Sequence, residues 1–432
     1  MKKLWSKYKQ SGFRKEIDDT IWVIGLQGLN YVIPILVIPY LMVTLGAEKF
    51  GYYGFALAVC QWLMLIVDFG FNLSATKRIA VATAGKDQLT RAQETTVNII
   101  FSNVFYAKIG LLFLSFIVLT VLAFVSQFEI YRKAMLLMFT MVVGNAFLFV
   151  FLFQGLGKIK WMSIINGIAR LSVLPLTFLL VKGPNDYEVA ILLQGMVSVV
   201  AAVISGVVVF KKKWARLLSV DMDGIKTEMK ESWPLFVSIA ATSVYTSLFV
   251  VYLGLFAESD EVGCYSAGDK LMRAAIFVAM TPALQVFYPK VSQLAKTNMN
   301  AARRLARGLL TVMAVYTALW GLFLFFGSEG ILSLLGKDYV GGKTLFRILS
   351  FVPIWIGVSG ILGQCYLLAM GGAAGKKMFE RSYLIAAMVA TTSTLVLTPW
   401  MHGEGSAIAM VLTEASVAVT MWIGIRRMKL IS

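Results

Sequence analysis

Arg170 stands near the middle of an apolar run, 161–181, that holds no other charge. A charge at the centre of a bilayer costs at least about 2.5–3.5 kcal/mol, so it is kept where it faces a watery cavity or a partner. Asp269, Lys270 and Arg273 sit in the outer half of another run, 265–289. Their spacing places them on one helical face, where Asp269 can pair with Arg273. They either line a cavity or form a paired face that snorkels outward. Lys108 lies toward the inner end of 97–125, within snorkelling reach of the cytoplasm and also placed to serve a cavity. Glu414, the one deep glutamate, is mid-span in 406–425, as the partner of a base or as a group that changes protonation. If these bases share a chamber, it attracts a phosphate, a diphosphate or a uronate and repels an amine. That is binding chemistry rather than bond breaking.

The elements that must position these groups are membrane spans. Hydrophobic residues make up 58% of the 432, charged residues only 15%, and the mean hydropathy is +0.76. A hydrocarbon core about 30 Å thick needs roughly 20 apolar residues of helix. Runs of that length occur near 20–44, 51–70, 97–125, 134–153, 161–181, 189–210, 234–256, 265–289, 308–326, 346–370, 381–400 and 406–425. The expected fold is therefore an all-α integral membrane protein of about twelve spans. Between them the longest polar pieces are 71–96, 211–233 and 290–307, too short for a soluble domain. The polar, basic segment 1–19 leads into a span-length run, so the first helix is expected to stay as an anchor rather than be cleaved.

Net charge is +17, and its placement is informative. With the N-terminus in the cytoplasm, cytoplasmic segments hold about 29 of the 40 Lys and Arg residues, external ones about 7 and spans about 4. This is a topology signal and not a nucleic-acid signal, and it puts both termini inside. Cys60, Cys264 and Cys365 are isolated in apolar context, and His402 is the lone histidine. Neither a disulfide, a metal centre nor a cofactor is expected.

An internal echo divides the chain. Phe50-Gly51-Tyr52-Tyr53-Gly54-Phe55-Ala56 and Val262-Gly263-Cys264-Tyr265-Ser266-Ala267 both lead from an external loop into the next span, 212 residues apart. The expected organisation is a six-helix bundle over 1–210, a basic cytoplasmic linker over 211–233 and a second bundle over 234–432. Six is even, so the halves insert in the same sense and are related about the membrane normal. Gln27, Asn30 and Tyr31, with Thr242, Ser243, Tyr245 and Thr246, suit a wet wall or interhelical hydrogen bonds. Pro34, Pro39, Pro175, Pro282 and Pro353 are candidate bends. Asp221-Met222-Asp223 reads as a helix start rather than a metal-binding pair. The run from Gly371 to Lys377 lacks phosphate-loop spacing and reads as a cytoplasmic loop.

Three strings carry a family resemblance. Asp68-Phe69-Gly70-Phe71-Asn72-Leu73-Ser74-Ala75-Thr76-Lys77-Arg78 resembles the signature of bacterial O-antigen and polysaccharide flippases, with Lys77 standing where the family's single arginine would fall sooner. Phe153-Gln154-Gly155-Leu156-Gly157-Lys158-Ile159-Lys160-Trp161 is similar to a second string of that family, and Tyr265 to Arg273 to its eighth-helix motif. With the twelve-span layout, the resemblance covers nearly the whole chain. It implies a member of the multidrug/oligosaccharidyl-lipid/polysaccharide exporter superfamily in the bacterial inner membrane. Such a protein moves undecaprenyl-diphosphate-linked repeat units to the periplasmic leaflet and could work beside a polysaccharide polymerase and a chain-length regulator. On that reading Arg170, Lys270, Arg273 and Lys108 contact the anionic glycolipid, Asp68 and Arg78 serve an inner gate, and Glu414 or Asp269 couples protons or pairs with a base. A cation-coupled drug exporter would want acids where this chain has bases. A membrane-embedded polymerase or glycosyltransferase would want a sizeable catalytic loop.

Overall fold

The computed structural model describes the backbone of residues 14–83 and 89–430. Side chains are described from residue 33 onward within these, except at 238, 241–247, 275 and 277. The expected wall residues Gln27, Asn30, Tyr31, Thr242, Ser243, Tyr245 and Thr246 therefore lie outside the described side chains.

In hydrocarbon every backbone N–H and C=O must be satisfied within the segment, which favours helix throughout. The described residues form twelve helical passes: α1 (14–45), α2 (47–68), α3 (Arg91–Ala123), α4 (132–155, interrupted at 147–149), α5 (Ile159–Leu180) and α6 (Tyr187–Lys211) in the first half. The second half has α7 (Met222–Leu253), α8 (Ser259–Thr297), α9 (Met299–Phe326), α10 (343–368), α11 (372–401) and α12 (403–427). Gly46, at φ 70°, breaks the helix between α1 and α2 without a loop, in a conformation that costs glycine little. His402, at φ 45°, makes the matching break between α11 and α12.

Local capping explains the start of α7. Asp221 accepts from the Asp223 N–H at 3.2 Å, which satisfies one of the first-turn donors. Two stretches read as polar connections are ordered differently. Phe71–Thr83 is a helix of its own. The run from Gly371 to Lys377 is not a loop but a tight corner that becomes the first turns of α11. Gly372 turns at φ 56°, and a Cβ on Gly375 would lie 2.1 Å from the Leu367 carbonyl oxygen. Glycines written off as loop formers here allow two helices to meet without one.

The apolar cores are distributed unevenly along the bundle. At the end where α1 meets α2, one continuous core takes buried residues from both halves, among them Leu45, Phe55 and Tyr131 with Leu253, Tyr265, Tyr339 and Met410. At the other end, where the 211–221 linker lies, there are two cores. One is built on Phe71, Phe101, Phe151 and Phe153 of the first half, the other on Val291, Ala302, Ile361 and Met421 of the second. The halves thus share a core at the Gly46 end and keep separate cores at the linker end, where the start of α7 packs against the first half.

The joint is made by the two echo sequences meeting each other. A Cβ on Gly51 would lie 1.8 Å from the Ser259 carbonyl oxygen, and one on Gly263 would lie 1.9 Å from that of Ala47. Ser266 occupies the space beside Gly54. Small residues at the contact let two helices approach at backbone distance. Tyr339 adds a hydrogen bond across the joint, its hydroxyl donating to the Met42 carbonyl at 3.1 Å.

Candidate functional site

Helices α1, α2, α4, α5 and α6 of the first half, with one residue of α8, line a cavity of about 320 Å³. Helical periodicity decides what it presents. Tyr53, Leu57 and Gln61 recur every four residues on α2; Arg170, Val173, Leu174 and Thr177 share a face of α5; Leu193, Gln194 and Val197 share one of α6. Lys270 of α8 is the contribution of the second half. An adjoining cleft of about 450 Å³ is lined by Ile35, Ile38, Pro39, Leu271, Ala274 and Trp320, with Arg170, Lys270 and Arg273. Arg170 and Lys270 line both spaces, so these two bases stand where a chamber of mixed polar and apolar lining meets a more apolar cleft.

Of the bases singled out in the sequence, three converge here. Arg273 Nε lies 2.7 Å from Asp269 Oδ1, and Lys270 Nζ lies 3.8 Å from Asp269 Oδ2. One carboxylate thus orients two bases and leaves the group with an excess of positive charge. Glu414 is buried on α12, within electrostatic reach of Arg273 and Asp269, and Tyr265 shares that cluster. The carboxylate stands behind the cavity wall rather than in it. Among the described residues, no group of three or more His, Cys, Asp or Glu side chains could hold a metal ion.

Lys108 is placed elsewhere. It is 2% exposed, with Nζ 3.0 Å from Asp68 Oδ1 and 3.4 Å from the Asn145 carbonyl oxygen, while Asn145 donates its side-chain amide to Asp68 Oδ2 at 3.1 Å. It neither snorkels nor lines the cavity, because its face of α3 turns into the first half, where Asp68 ends α2. Breaking a buried pair leaves an uncompensated charge and costs about 3–5 kcal/mol. Lys108→Ala is expected toward the lower end of that range, since Asp68 keeps a quarter of its side chain exposed. The double change Asp68→Asn with Lys108→Met should recover most of the loss in a thermal melt of the purified protein.

Arg78 also has a defined partner. Its Nη1 is 2.5 Å from Glu228 and 3.4 Å from Glu231 on the first turns of α7. Ser74 and Ser232 hydroxyls are 2.5 Å apart, and Phe69 stacks on Phe236 at 4.6 Å between centroids. Phe69 and Gly70 both have positive φ, and a Cβ on Gly70 would lie tightly against α7, 3.0 Å from the Phe236 nitrogen, which accounts for the glycine in that turn. Glu228 lies in the polar extension of α7 that precedes its apolar part. Burial pushes its carboxyl up to about 7, against the opposing pull of Arg78. The effect is to strap the polar start of α7 to the first half at the otherwise open end.

Sequence reading passed over Gln61, Gln194 and Tyr53. The available signal was the spacing of Gln61 eight residues after Tyr53, one helical face of α2.

The profile of the family described as "Polysaccharide biosynthesis protein" matches residues 17–295, well over half of the chain. The chain belongs to that family. Among its relatives is a protein of Escherichia coli (strain K12) named "Putative O-antigen transporter", 28% identical over 417 residues, 96% of this chain and 97% of that one. In three dimensions this family member is similar to an inward-facing multidrug resistance MATE family transporter of the MOP superfamily, with a TM-score of 0.66 and 11% identity over 92% of this chain and 94% of the other. It is also similar to the lipid II flippase MurJ in an inward closed conformation, at 0.67 and 13% identity over 95% and 87%. At these identities the likeness is one of fold, a multi-pass helical one.

Proposed function

We propose that this protein carries a polyprenyl-diphosphate-linked oligosaccharide, an O-antigen or similar polysaccharide repeat unit, across the bacterial inner membrane from the cytoplasmic to the periplasmic leaflet. The observation that carries the reading is the position of Arg170 and Lys270 at the boundary between a chamber that carries polar side chains and a more apolar cleft, which Arg273 also lines. A lipid-linked glycan has the same sequence of chemistries: a hydrophilic sugar, an anionic diphosphate and a hydrocarbon chain. The bases take the diphosphate, the chamber the sugar and the cleft the chain. A cationic drug would meet the same three bases and be repelled.

The arrangement of the cores supports alternating access. One core shared at the Gly46 end and two at the linker end give a shape open to one side, and parallel bundles can rock about such a joint. The charge bias supports a cytoplasmic open end. The E. coli relative's name and the fold shared with a lipid II flippase support the same reading.

The test is reconstitution. Vesicles containing the purified protein and a polyprenyl-diphosphate oligosaccharide are treated with an impermeant sugar-modifying reagent. The protein should expose the protected inner-leaflet pool at a rate protein-free vesicles do not reach. Equal rates would overturn the proposal, and incorporation of labelled sugar by the protein alone would move it to the enzymes.

A further inference from the structure

We infer that Gln61 and Gln194, assisted by Tyr53, are the residues that recognise the sugar bonded to the diphosphate, and so set which glycolipids are carried. This rests on the function proposed above and goes beyond it by assigning specificity to uncharged residues.

The side chains of Gln61 and Gln194 reach the cavity from different helices, α2 and α6, and Tyr53 stands two turns before Gln61 on the same face. Among the described residues none of the three makes a hydrogen bond or ion pair, although all lie in membrane-spanning segments. Polar side chains at that depth ordinarily bond across helices or to their own backbone. Thr177 in the same wall does so, donating to the Val173 carbonyl at 3.2 Å. Ser115, buried in the first half, reaches across to the Leu63 carbonyl at 3.4 Å. The two carboxamides and the phenol keep their donors and acceptors for whatever fills the chamber.

Their chemistry selects the class of ligand. A carboxamide offers two N–H donors and a carbonyl acceptor without charge, matching the hydroxyl and acetamido groups of a sugar and giving no advantage with a phosphate. The anion has its own partners in Arg170 and Lys270 on the rim of the same cavity. A sugar adjoining the phosphate then falls between the amides. At about 320 Å³ the chamber is at the lower end of small-ligand sites, which run from about 300 to 1,000 Å³. It admits a saccharide unit or two, and the remainder of the glycan must lie beyond it.

The experiment uses the reconstituted full-length protein and two probes, a polyprenyl diphosphate carrying one 2-acetamido hexose and the same lipid carrying the 2-hydroxy hexose. Wild-type protein is expected to prefer one of them. Gln61→Leu and Gln194→Leu should each slow that probe by about three- to tenfold, the worth of one or two neutral hydrogen bonds, and bring the ratio of the two rates toward one. Arg170→Ala should slow both probes together and leave their ratio as it was. Melting temperatures within a few degrees of wild type exclude misfolding, and Gln61→Asn should regain part of the preference. The assignment is overturned if wild type carries both probes equally, if the leucine variants keep the wild-type ratio, or if they lower both rates in proportion. Those outcomes leave the transport proposal standing. Failure of the wild-type protein to move either probe removes the transport proposal and this inference with it.

Discussion

Gly263→Val is expected to abolish transport while the protein still reaches the membrane. A Cβ at this position would sit 1.9 Å from the Ala47 carbonyl oxygen and 3.1 Å from the Gly51 nitrogen, and both obstacles are backbone. Ordinary contact requires about 3.5 Å or more, so the start of α8 must retreat by well over an ångström. Overpacking a core costs about 1–3 kcal/mol when side chains can adjust, and here no flexible group can yield. Each half keeps its own core at the linker end, so the loss should fall on closure of the joint. Two measurements check this: surface polysaccharide normalised to protein abundance, and the transport rate of the purified protein reconstituted in vesicles. Both should drop sharply. Gly110→Val, where an added Cβ meets nothing within 4 Å, should leave both unchanged. Wild-type export by Gly263→Val would show that the joint is not needed in the closed form.

Arg170→Ala is expected to lower export by about ten- to a hundredfold. A hydrogen bond to a charged group contributes about 1.5–3 kcal/mol, and about 1.4 kcal/mol is a factor of ten. Arg170 lines both the chamber and the cleft, so its loss removes one of the two cations at their boundary, the other being Lys270. Arg170→Lys should retain part of the activity, because charge remains while the planar, bidentate fit to a phosphate is lost. The comparison is surface polysaccharide in a strain carrying each variant at equal membrane abundance. Full export by Arg170→Ala would remove this residue from the binding site.

What could be read from the chain and what could not divide along a physical line. Twelve spans were legible because a bilayer imposes a length on every apolar segment, whatever its neighbours. Arg170, Lys270 and Arg273 were legible as special because charge at depth is costly anywhere in the membrane. The Gly51 and Gly263 strings were visible as an echo, since a repeat is a property of the sequence.

Contacts were not legible in the same way. Lys108 and Lys270 are the same residue type within apolar spans, yet one is locked to Asp68 within the first half and the other lines the cavity, because the faces of α3 and α8 turn toward different neighbours. Gln61 and Gln194 gave no alarm, because a neutral amide is tolerated in many spans and becomes informative only once its lack of a partner is seen. That the two echo glycines touch, giving the halves a shared core at one end and separate cores at the other, was decided by packing. Hydropathy is summed along a helix, whereas a cavity is set by which faces are left unfilled when twelve helices come together.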